Sequence, residues 1–418
     1  MPTRGPSAAP RKSIFDPVHG PIALDGAALA LIGTPEFQRL WGIRQTGFAH
    51  LVFPGANHTR LEHSLGTYWV AGRLADRLAL DRDEGRRLAI GGLLHDLGHG
   101  PFSHTLDAPM VEALGHGHER VSRELVTGTG RASASSIPAV LDRHGVDASA
   151  VAELIDPPGG RARGTVGALL HGAVDADRID YLQRDAHYTG VAHGAIDAVR
   201  LLDTVRTAKG RLVFAEKGRS AVEGLLVGRA LMYATVYYHK TVRAAEMMAQ
   251  AAVERQRGFP DVGADQFRWT DGELLVRLRD AGDPSAALVR GLTERRLYKR
   301  AHAWHRMGDR ALRTWTRLAA RPAERRALED EIAAHLRAPP GAALVDLAAL
   351  EARGDPADDW ANVGVAAGRH VTYPFRGAGP WSALVRRSPA DWLVSVYVGP
   401  RWRADASRWL ERDPRALP

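Results

Sequence analysis

Residues 91–100 read Gly-Gly-Leu-Leu-His-Asp-Leu-Gly-His-Gly, and they are the most informative segment of the chain. It places His95 and Asp96 at the end of an apolar helical run, directly before a glycine-rich turn. Burying two adjacent ionisable side chains costs free energy unless a compensating charge lies beside them. Because imidazole and carboxylate are both ligands of divalent metal ions, the stretch predicts a metal centre at the end of a buried helix.

Two further segments supply the remaining candidate ligands. His63 lies in Arg-Leu-Glu-His-Ser (60–64), and Asp177 lies in Asp-Ala-Asp-Arg-Ile-Asp-Tyr (175–181). A lone His-Asp pair occurs by chance in many chains, but four parts in this order predict one ligand set: His63, His95, Asp96 and Asp177. Two histidines and two aspartates leave coordination positions open for water and phosphate. The chain has no cysteine, so thiolate ligands are excluded, and Mn, Fe, Mg, Zn, Co and Ni are not distinguished.

Outward from this centre, helical periodicity dominates the first three hundred residues. Apolar residues recur at intervals of three and four over 62–80, 84–97, 118–126 and 219–255, which predicts a helical body. Beyond about Pro339 short β-prone runs replace this pattern, at 343–345, 370–373 and 392–398. We therefore predict a mainly α fold: a disordered leader over 1–12, a helical body over 13–338 with its metal core at about 45–190, and a small α/β appendage over 339–418.

Composition narrows the class of protein. The chain has 418 residues and a formal net charge of +8, and no apolar run approaches the roughly 18 residues that a membrane span needs. The first residues carry no apolar stretch, so a secretory signal is not predicted and we expect a cytoplasmic protein. The positive charge suggests an anionic partner, although it is spread along the chain without a basic run.

Several motifs together carry a resemblance to a known family. They are Asp-Pro-Val-His-Gly (16–20), Pro-Glu-Phe-Gln-Arg-Leu (35–40), Val-Phe-Pro-Gly-Ala (52–56), Arg-Leu-Glu-His-Ser-Leu-Gly (60–66), the segment 95–104, His-Glu (118–119), the segment 177–185 and Tyr-Tyr-His-Lys (237–240). In this order they resemble the HD-domain superfamily and, more narrowly, its deoxynucleoside triphosphate triphosphohydrolases. The resemblance covers roughly the helical body and implies a helical HD phosphohydrolase fold.

The resemblance also implies a reaction and roles for individual residues. Members of the family hydrolyse deoxynucleoside triphosphates at the α-phosphorus with a divalent metal ion, releasing the nucleoside and intact triphosphate. The matching positions make His104 the expected proton donor, with His99 and His118 supporting it. Residues expected to bind the triphosphate are Arg60, Arg178 and Arg229, and those expected around the sugar are Gln45, Thr46, Tyr181, Asp185 and Tyr237.

Regulation and assembly follow from the resemblance as well. Family members form homo-oligomers, dimers or tetramers, that nucleotides activate at subunit interfaces. The positions compatible with such an effector site are Lys12, Gln38, Arg200, Lys217, His239, Lys240, Arg295 and Lys299. Gly33 and Trp41 stand where the family's guanine-reading residues are found, so we expect a guanine-specific activator site to be lost or altered.

Two alternatives stay open at this stage. An HD phosphohydrolase acting on another phosphoester, such as a ribonucleotide, a monophosphate or a cyclic nucleotide, would use the same metal centre, and Thr46 is compatible with a ribose 2′-hydroxyl. A catalytically idle protein that binds nucleotides or single-stranded nucleic acid is the other alternative, since ten tryptophans and the arginine excess permit base stacking. The extra histidines around the metal ligands favour an enzyme over a purely structural metal site.

Overall fold

The computed structural model describes residues 12–160, 164–256, 266–304, 308–347, 360–368, 370–376 and 394–412. Apart from Lys12, the expected leader therefore lies outside the described residues. The helices of the N-terminal half are α1 Gly26–Ile32, α2 Pro35–Gln38, α3 Arg60–Arg77, α4 Arg82–Leu94, α5 Asp107–Leu114, α6 His118–Thr127, α7 Ile137–Arg143, α8 Ala148–Ile155, α9 Gly164–His171, α10 Ala176–Thr189 and α11 Ala198–Thr204. Those of the C-terminal half are α12 Arg219–Met232, α13 Lys240–Glu254, α14 Asp271–Asp280, α15 Ser285–Thr293, α16 Asp309–Ala319, α17 Pro322–His335 and α18 Arg403–Arg412.

Three small sheets accompany the helices. Their strands are β1 Lys12–Asp16, β2 Gly20–Leu24, β3 Val205–Ala208, β4 Arg211–Ala215, β5 Lys299–Trp304, β6 Ala343–Asp346, β7 Gly364–Ala367, β8 His370–Thr372 and β9 Val394–Val398. The strand orders are β1-β2, β3-β4-β7-β8 and β5-β9-β6, and every neighbouring pair is antiparallel except β4-β7. The mainly α fold with small sheets is thus confirmed.

The expectation of an entirely helical body is wrong in detail. The strands β1 to β5 all precede Pro339. Tight turns at 17–19 and 209–210 let the short β-prone runs of β1-β2 and β3-β4 pair locally. Strand β5 pairs with β9, and β4 pairs with β7, so both larger sheets join residues from the two sides of Pro339. The division of the chain into domains at Pro339 stays a prediction.

The helix predicted over 219–255 is also interrupted. The α-helical part α12 ends at Met232 and is followed by a π-helical turn over Tyr233–Tyr237. A second α-helix, α13, begins at Lys240. The Tyr238 N–H donates to the Tyr233 carbonyl, and the side chain of His239 accepts from the Thr241 N–H, so it caps the new helix. Arg229 still lies 4.6 Å from the Tyr233 ring, whose centroid is 5.0 Å from that of Tyr237, whereas Lys240 begins a separate helix.

Three helices form the frame of the candidate site. Helix α3 begins with a capping box in which Thr59 and Glu62 satisfy each other's backbone N–H groups. Gly92 lets α4 approach the α3 backbone closely, since a Cβ there would lie 3.0 Å from the Thr67 carbonyl oxygen. Gly66 likewise faces α10, where its missing side chain makes room for Asp180. Apolar residues of two clusters pack around this frame, and no helix of the described residues is long and apolar enough to cross a membrane.

Candidate metal centre and active site

The four residues predicted as metal ligands come together at the ends of these helices. His63 lies in the first turn of α3, His95 and Asp96 follow the last turn of α4, and Asp177 lies in the first turn of α10. Ligand atoms of His63, His95 and Asp177 all lie within 4.8 Å of one another. Asp96 is beside them, with Oδ1 3.1 Å from His95 Nε2 and Oδ2 3.6 Å from His63 Nε2.

The residues fit a divalent metal ion. His63 Nδ1–H donates to Asp180 Oδ2 at 2.7 Å, and His95 Nδ1–H donates to the Gly92 carbonyl at 2.8 Å. Each imidazole therefore directs Nε2, the atom that would bind a metal once deprotonated, toward the centre, and both Nε2 atoms are buried without a hydrogen-bond partner. Burial alone lowers the pKa of His63, but Asp177 and Asp180 outweigh it and raise that pKa to about 10, so this position attracts positive charge.

Asp180 orients the candidate ligand His63 by accepting from its Nδ1–H, although the sequence did not single out Asp180 as a site residue. Besides His63 it accepts from His19 Nε2 at 2.6 Å and from Arg184 at 2.9 Å through each oxygen. Arg184 also donates to Asp16 Oδ2 at 2.7 Å. Burial raises the pKa of Asp180, but Arg184 and the histidine hydrogen bonds hold it well below its usual range, so the carboxylate stays ionised.

The three predicted proton-transfer residues form a second cluster next to the metal centre. The rings of His99 and His118 stack with centroids 3.6 Å apart, and His104 approaches His99 edge-on at 4.9 Å. His104 Nδ1 donates to Asp107 Oδ2 at 2.9 Å, and His118 Nδ1 lies 3.6 Å from Asp107 Oδ1. Burial, then Arg60 and His118, hold the pKa of His99 well below its usual range, while Asp107 outweighs burial and raises the pKa of His118.

Arg60, predicted to bind phosphate, is buried between these two clusters. Its Nη1 donates to Asp96 Oδ2 and its Nε donates to Ser103 Oγ at 2.5 Å, while Nη2 is buried without a partner. The other two predicted phosphate residues lie on α10 and α12. Arg178, in the first turn of α10, donates to the Gly172 carbonyl, and Arg229 lies 4.6 Å from the centroid of the Tyr233 ring.

The residues predicted around the sugar are connected through His58, which the sequence did not single out. Asp185 accepts from His58 Nε2 at 2.8 Å and from the Tyr237 hydroxyl, so both carboxylate oxygens are oriented by the protein. The Gln45 N–H donates to the His58 carbonyl at 3.0 Å. Gln45 Oε1 and the neighbouring Thr46 hydroxyl are buried without partners. The Tyr181 ring lies 6.5 Å from that of Tyr237.

The positions predicted for an effector are spread over several elements. All of them except His239 are exposed, and His239 is half-buried; the exposed ones are Lys12, Gln38, Arg200, Lys217, Lys240, Arg295 and Lys299. Gln38 donates to the Ile32 carbonyl and Arg295 donates to the Leu51 carbonyl. The effector role of these residues stays a prediction.

A cleft of about 1290 Å³ adjoins the site between α6, α9 and β4. Its lining includes Glu119, which follows His118, and Gly172, whose carbonyl accepts from Arg178. The four candidate metal ligands are not among its lining residues, so the cleft lies beside the metal centre.

Ligands from the starts of α3 and α10 and from the end of α4, in the order His, His-Asp, Asp, define a helical protein of the HD-domain class. Comparison with known proteins agrees. The HD domain model matches residues 60–185, and the model of the HD associated region matches residues 196–406, half of the chain. The chain belongs to the HD-domain superfamily.

Individual relatives extend this comparison. An uncharacterized protein of Methanocaldococcus jannaschii is 40% identical over 251 residues, covering 59% of this chain and 50% of that protein. The deoxynucleoside triphosphate triphosphohydrolase SAMHD1 homolog of Dictyostelium discoideum is 29% identical over 317 residues, 69% of this chain and 59% of that protein. The chain thus spans between 50% and 59% of the length of these two relatives. The crystal structure of a hypothetical protein from Aquifex aeolicus superposes with a TM-score of 0.73 at 25% identity, covering 96% of this chain and 100% of that one.

Proposed function

We propose that this protein is a metal-dependent phosphohydrolase that converts deoxynucleoside triphosphates to deoxynucleosides and inorganic triphosphate. One observation carries the proposal: several of the buried polar atoms that lack partners belong to the predicted site residues, and they are donors and acceptors that a nucleotide and its metal could pair with. Folded proteins pair nearly all buried polar groups, so unpaired ones indicate what a ligand supplies. The imidazole acceptors are His63 Nε2 and His95 Nε2, the guanidinium donors belong to Arg60 and Arg229, and the amide and hydroxyl oxygens belong to Gln45 and Thr46.

His63, His95, Asp96 and Asp177 would hold the metal ion. A divalent ion there lowers the pKa of bound water and offsets the negative charge that develops on phosphoryl oxygens. Asp180 keeps His63 in the tautomer that presents Nε2, and the Gly92 carbonyl does the same for His95.

Arginines would bind the polyphosphate. A triphosphate carries about four negative charges, which guanidinium groups bind with short charge-assisted hydrogen bonds. Arg60 has one free buried Nη2 beside Asp96, so it can donate to a phosphoryl oxygen without giving up its two internal partners. Arg178 and Arg229 are the further cations that we assign to the β- and γ-phosphates.

The histidine cluster would supply the proton for the departing 5′-oxygen. His118 faces Asp107, which outweighs burial and raises the pKa of His118, so this carboxylate favours the protonated ring that a supporting donor needs. His104, the predicted proton donor, has its Nδ1 hydrogen-bonded to the same carboxylate and its ring largely exposed, so the ring is open to a substrate oxygen. His99 is buried between them with a lowered pKa and acts as the neutral stacking partner that fixes His118.

The sugar would lie against Asp185. Its two oxygens are oriented by His58 and Tyr237, and each retains a lone pair that can accept from a 3′-hydroxyl. Similarity to the deoxynucleoside triphosphate triphosphohydrolase SAMHD1 homolog of Dictyostelium discoideum supports a deoxynucleotide. The second candidate substrate is a ribonucleoside triphosphate, which the buried unpaired hydroxyl of Thr46 favours, because that hydroxyl can pair with a 2′-hydroxyl.

The test is a product analysis. Metal-stripped protein is reconstituted in turn with Mn, Fe, Mg, Zn, Co or Ni and incubated with each of the four deoxynucleoside triphosphates and their ribo counterparts, singly and as mixtures. We expect nucleoside and intact triphosphate, and activity confined to mixtures would reveal an effector.

The Asp177→Asn variant should lose both the reaction and the bound metal, whereas Asp83→Asn, an exposed residue at the start of α4, should match the wild type. Release of pyrophosphate or orthophosphate would contradict the proposed reaction, and unchanged activity of Asp177→Asn would contradict the proposed centre.

A further inference from the structure

Residues 102 and 103 of the loop that follows α4 have an unfavourable backbone. Phe102 has φ 55° and Ser103 has φ 50°, so two consecutive residues with side chains occupy the left-handed region. Such conformations persist only where the surrounding structure holds them, and they concentrate at functional sites. This loop carries the candidate site, because Ser103 Oγ accepts from Arg60, and Arg60 pairs with Asp96.

A carboxylate from far along the chain holds this turn. Asp271 Oδ1 accepts from the Phe102 N–H at 2.7 Å, and Oδ2 accepts from the Arg44 N–H at 3.1 Å. Asp271 is buried, and it begins α14, in the part of the chain that matches the HD associated region. The Arg44 carbonyl in turn accepts from Ser103 Oγ at 3.2 Å, so Asp271 fixes both neighbours of that hydroxyl.

The segment 269–271 also contacts the loop after α4 at a second point, through Arg39. Arg39 donates to the carbonyls of Leu97 and His99 at 2.7 and 2.8 Å, and its other terminal nitrogen donates to the Trp269 carbonyl at 3.1 Å. Gly42 allows this approach, since a Cβ there would lie 2.4 Å from Thr270 Cγ2. Residues 269–271 therefore hold the loop directly at Phe102 and, through Arg39, at His99.

We propose that Asp271 is a positioning residue for the reaction of the neighbouring site: it holds the Phe102–Ser103 turn so that Ser103 orients Arg60 against Asp96. The inference rests on the proposed function for its catalytic part. Asparagine at this position can accept only one of the two N–H groups and turns an NH₂ group toward the other. Asp271→Asn should therefore release the turn while preserving the volume of the side chain.

The experiment compares Asp271→Asn with a matched control, Glu273→Gln. Glu273 is exposed, caps the same helix by accepting from the Thr270 N–H at 2.7 Å, and forms its hydrogen bonds with Thr270 rather than with residues 95–103. Both variants weaken the start of α14, so a purely structural effect appears in both. Amide hydrogen exchange over 97–106 should rise at least tenfold in Asp271→Asn and stay unchanged in Glu273→Gln.

Kinetics then test the link to the site. We expect kcat to fall about tenfold in Asp271→Asn with KM changed less than twofold, because a displaced Arg60 affects the transition state more than substrate binding. Ser103→Ala should lower kcat similarly, and the double variant should be no worse than about twofold below the poorer single variant, since both act through one contact.

The outcomes separate this inference from the proposed function. If the wild type hydrolyses none of the eight nucleotides, the proposed function has failed, and the exchange measurement still decides whether Asp271 holds the loop. Unchanged exchange in Asp271→Asn, equal loss of kcat in Glu273→Gln, or multiplicative effects of Asp271→Asn and Ser103→Ala would each overturn the inference.

Discussion

Replacing Gly66 by alanine should disable the metal centre without altering any of its ligands. A Cβ at Gly66 would lie 1.9 Å from Asp180 Oδ1 and 2.4 Å from Arg184 Nη2. Non-bonded heavy atoms need about 3.5 Å, so the Asp180 carboxylate must retreat by about 1.5 Å. The hydrogen bond of 2.7 Å from His63 Nδ1 to Asp180 Oδ2 cannot survive such a shift.

The magnitude follows from the burial of the groups involved. Asp180 and Arg184 are fully buried, and breaking a buried ion pair costs about 3–5 kcal/mol. Alanine is about 1 kcal/mol better than glycine inside a helix, so the net loss of stability should be about 2–4 kcal/mol. Without Asp180 behind it, His63 should bind the metal about 10- to 100-fold more weakly.

The assay pairs Gly66→Ala with Gly72→Ala on the same helix. A Cβ at Gly72 meets nothing within 4 Å, so this control receives the helix-propensity gain alone. Thermal unfolding of the metal-free proteins measures stability, and Mn titration by calorimetry measures affinity. If the two variants have the same unfolding midpoint and the same affinity for Mn, the assignment of Asp180 as the residue that orients His63 is refuted.

Three further outcomes are expected. Burial opposes the charge of Glu36, but hydrogen bonds from Ser136 outweigh it and lower the pKa of Glu36. Thermal unfolding should therefore show Glu36→Gln to be less stable than the wild type above the ordinary pKa of 4.5. This difference in stability should vanish as the pH falls through the lowered pKa. Thr46→Val should leave the unfolding midpoint unchanged or raised, because the buried hydroxyl has no partner, and should reduce any turnover of ribonucleotides relative to deoxynucleotides in the product assay. Arg325→Met removes the two hydrogen bonds of 2.6 Å that Arg325 donates to the buried carboxylate of Glu254, leaving it the bond from Gln250, and should cost about 3–5 kcal/mol in a urea titration.

The parts of the fold that the sequence predicts are those with local signals. Apolar periodicity marks α3 and α4, and the observed helices begin two residues before the predicted ones and end three residues before them. The hairpin β1-β2 was missed because its runs are short and lie beside a helical pattern. The break after Met232 was missed because residues 229, 233, 237 and 240 recur at intervals of three and four across the π-helical turn, so spacing in the sequence alone does not reveal it.

Candidate site residues divide in the same way. His63, His95, Asp96 and Asp177 stand in short motifs whose residue types point to metal chemistry, and the structure brings them together. Asp271 stands in no such motif, and its hydrogen bond to Phe102 joins residues 169 apart in the chain. No local pattern predicts a contact of that separation, because it depends on how complete helices pack.

Even where the sequence predicts a residue that the structure brings into the candidate site, it cannot say which of that residue's atoms is available. His63 and His95 each donate a hydrogen bond from Nδ1–H to a partner within the protein. Nε2 of each ring is therefore the atom left to bind a ligand. Arg60 donates hydrogen bonds from Nε and Nη1 within the protein, and its Nη2 has no partner. The free atoms of these three side chains are two acceptors and one donor, which suits a cation bound to an anion rather than either alone. A metal-free protein should accordingly bind triphosphate far more weakly than the Mn-loaded protein, and equal affinities in the two titrations would argue that Arg60 and the two histidines serve separate ligands.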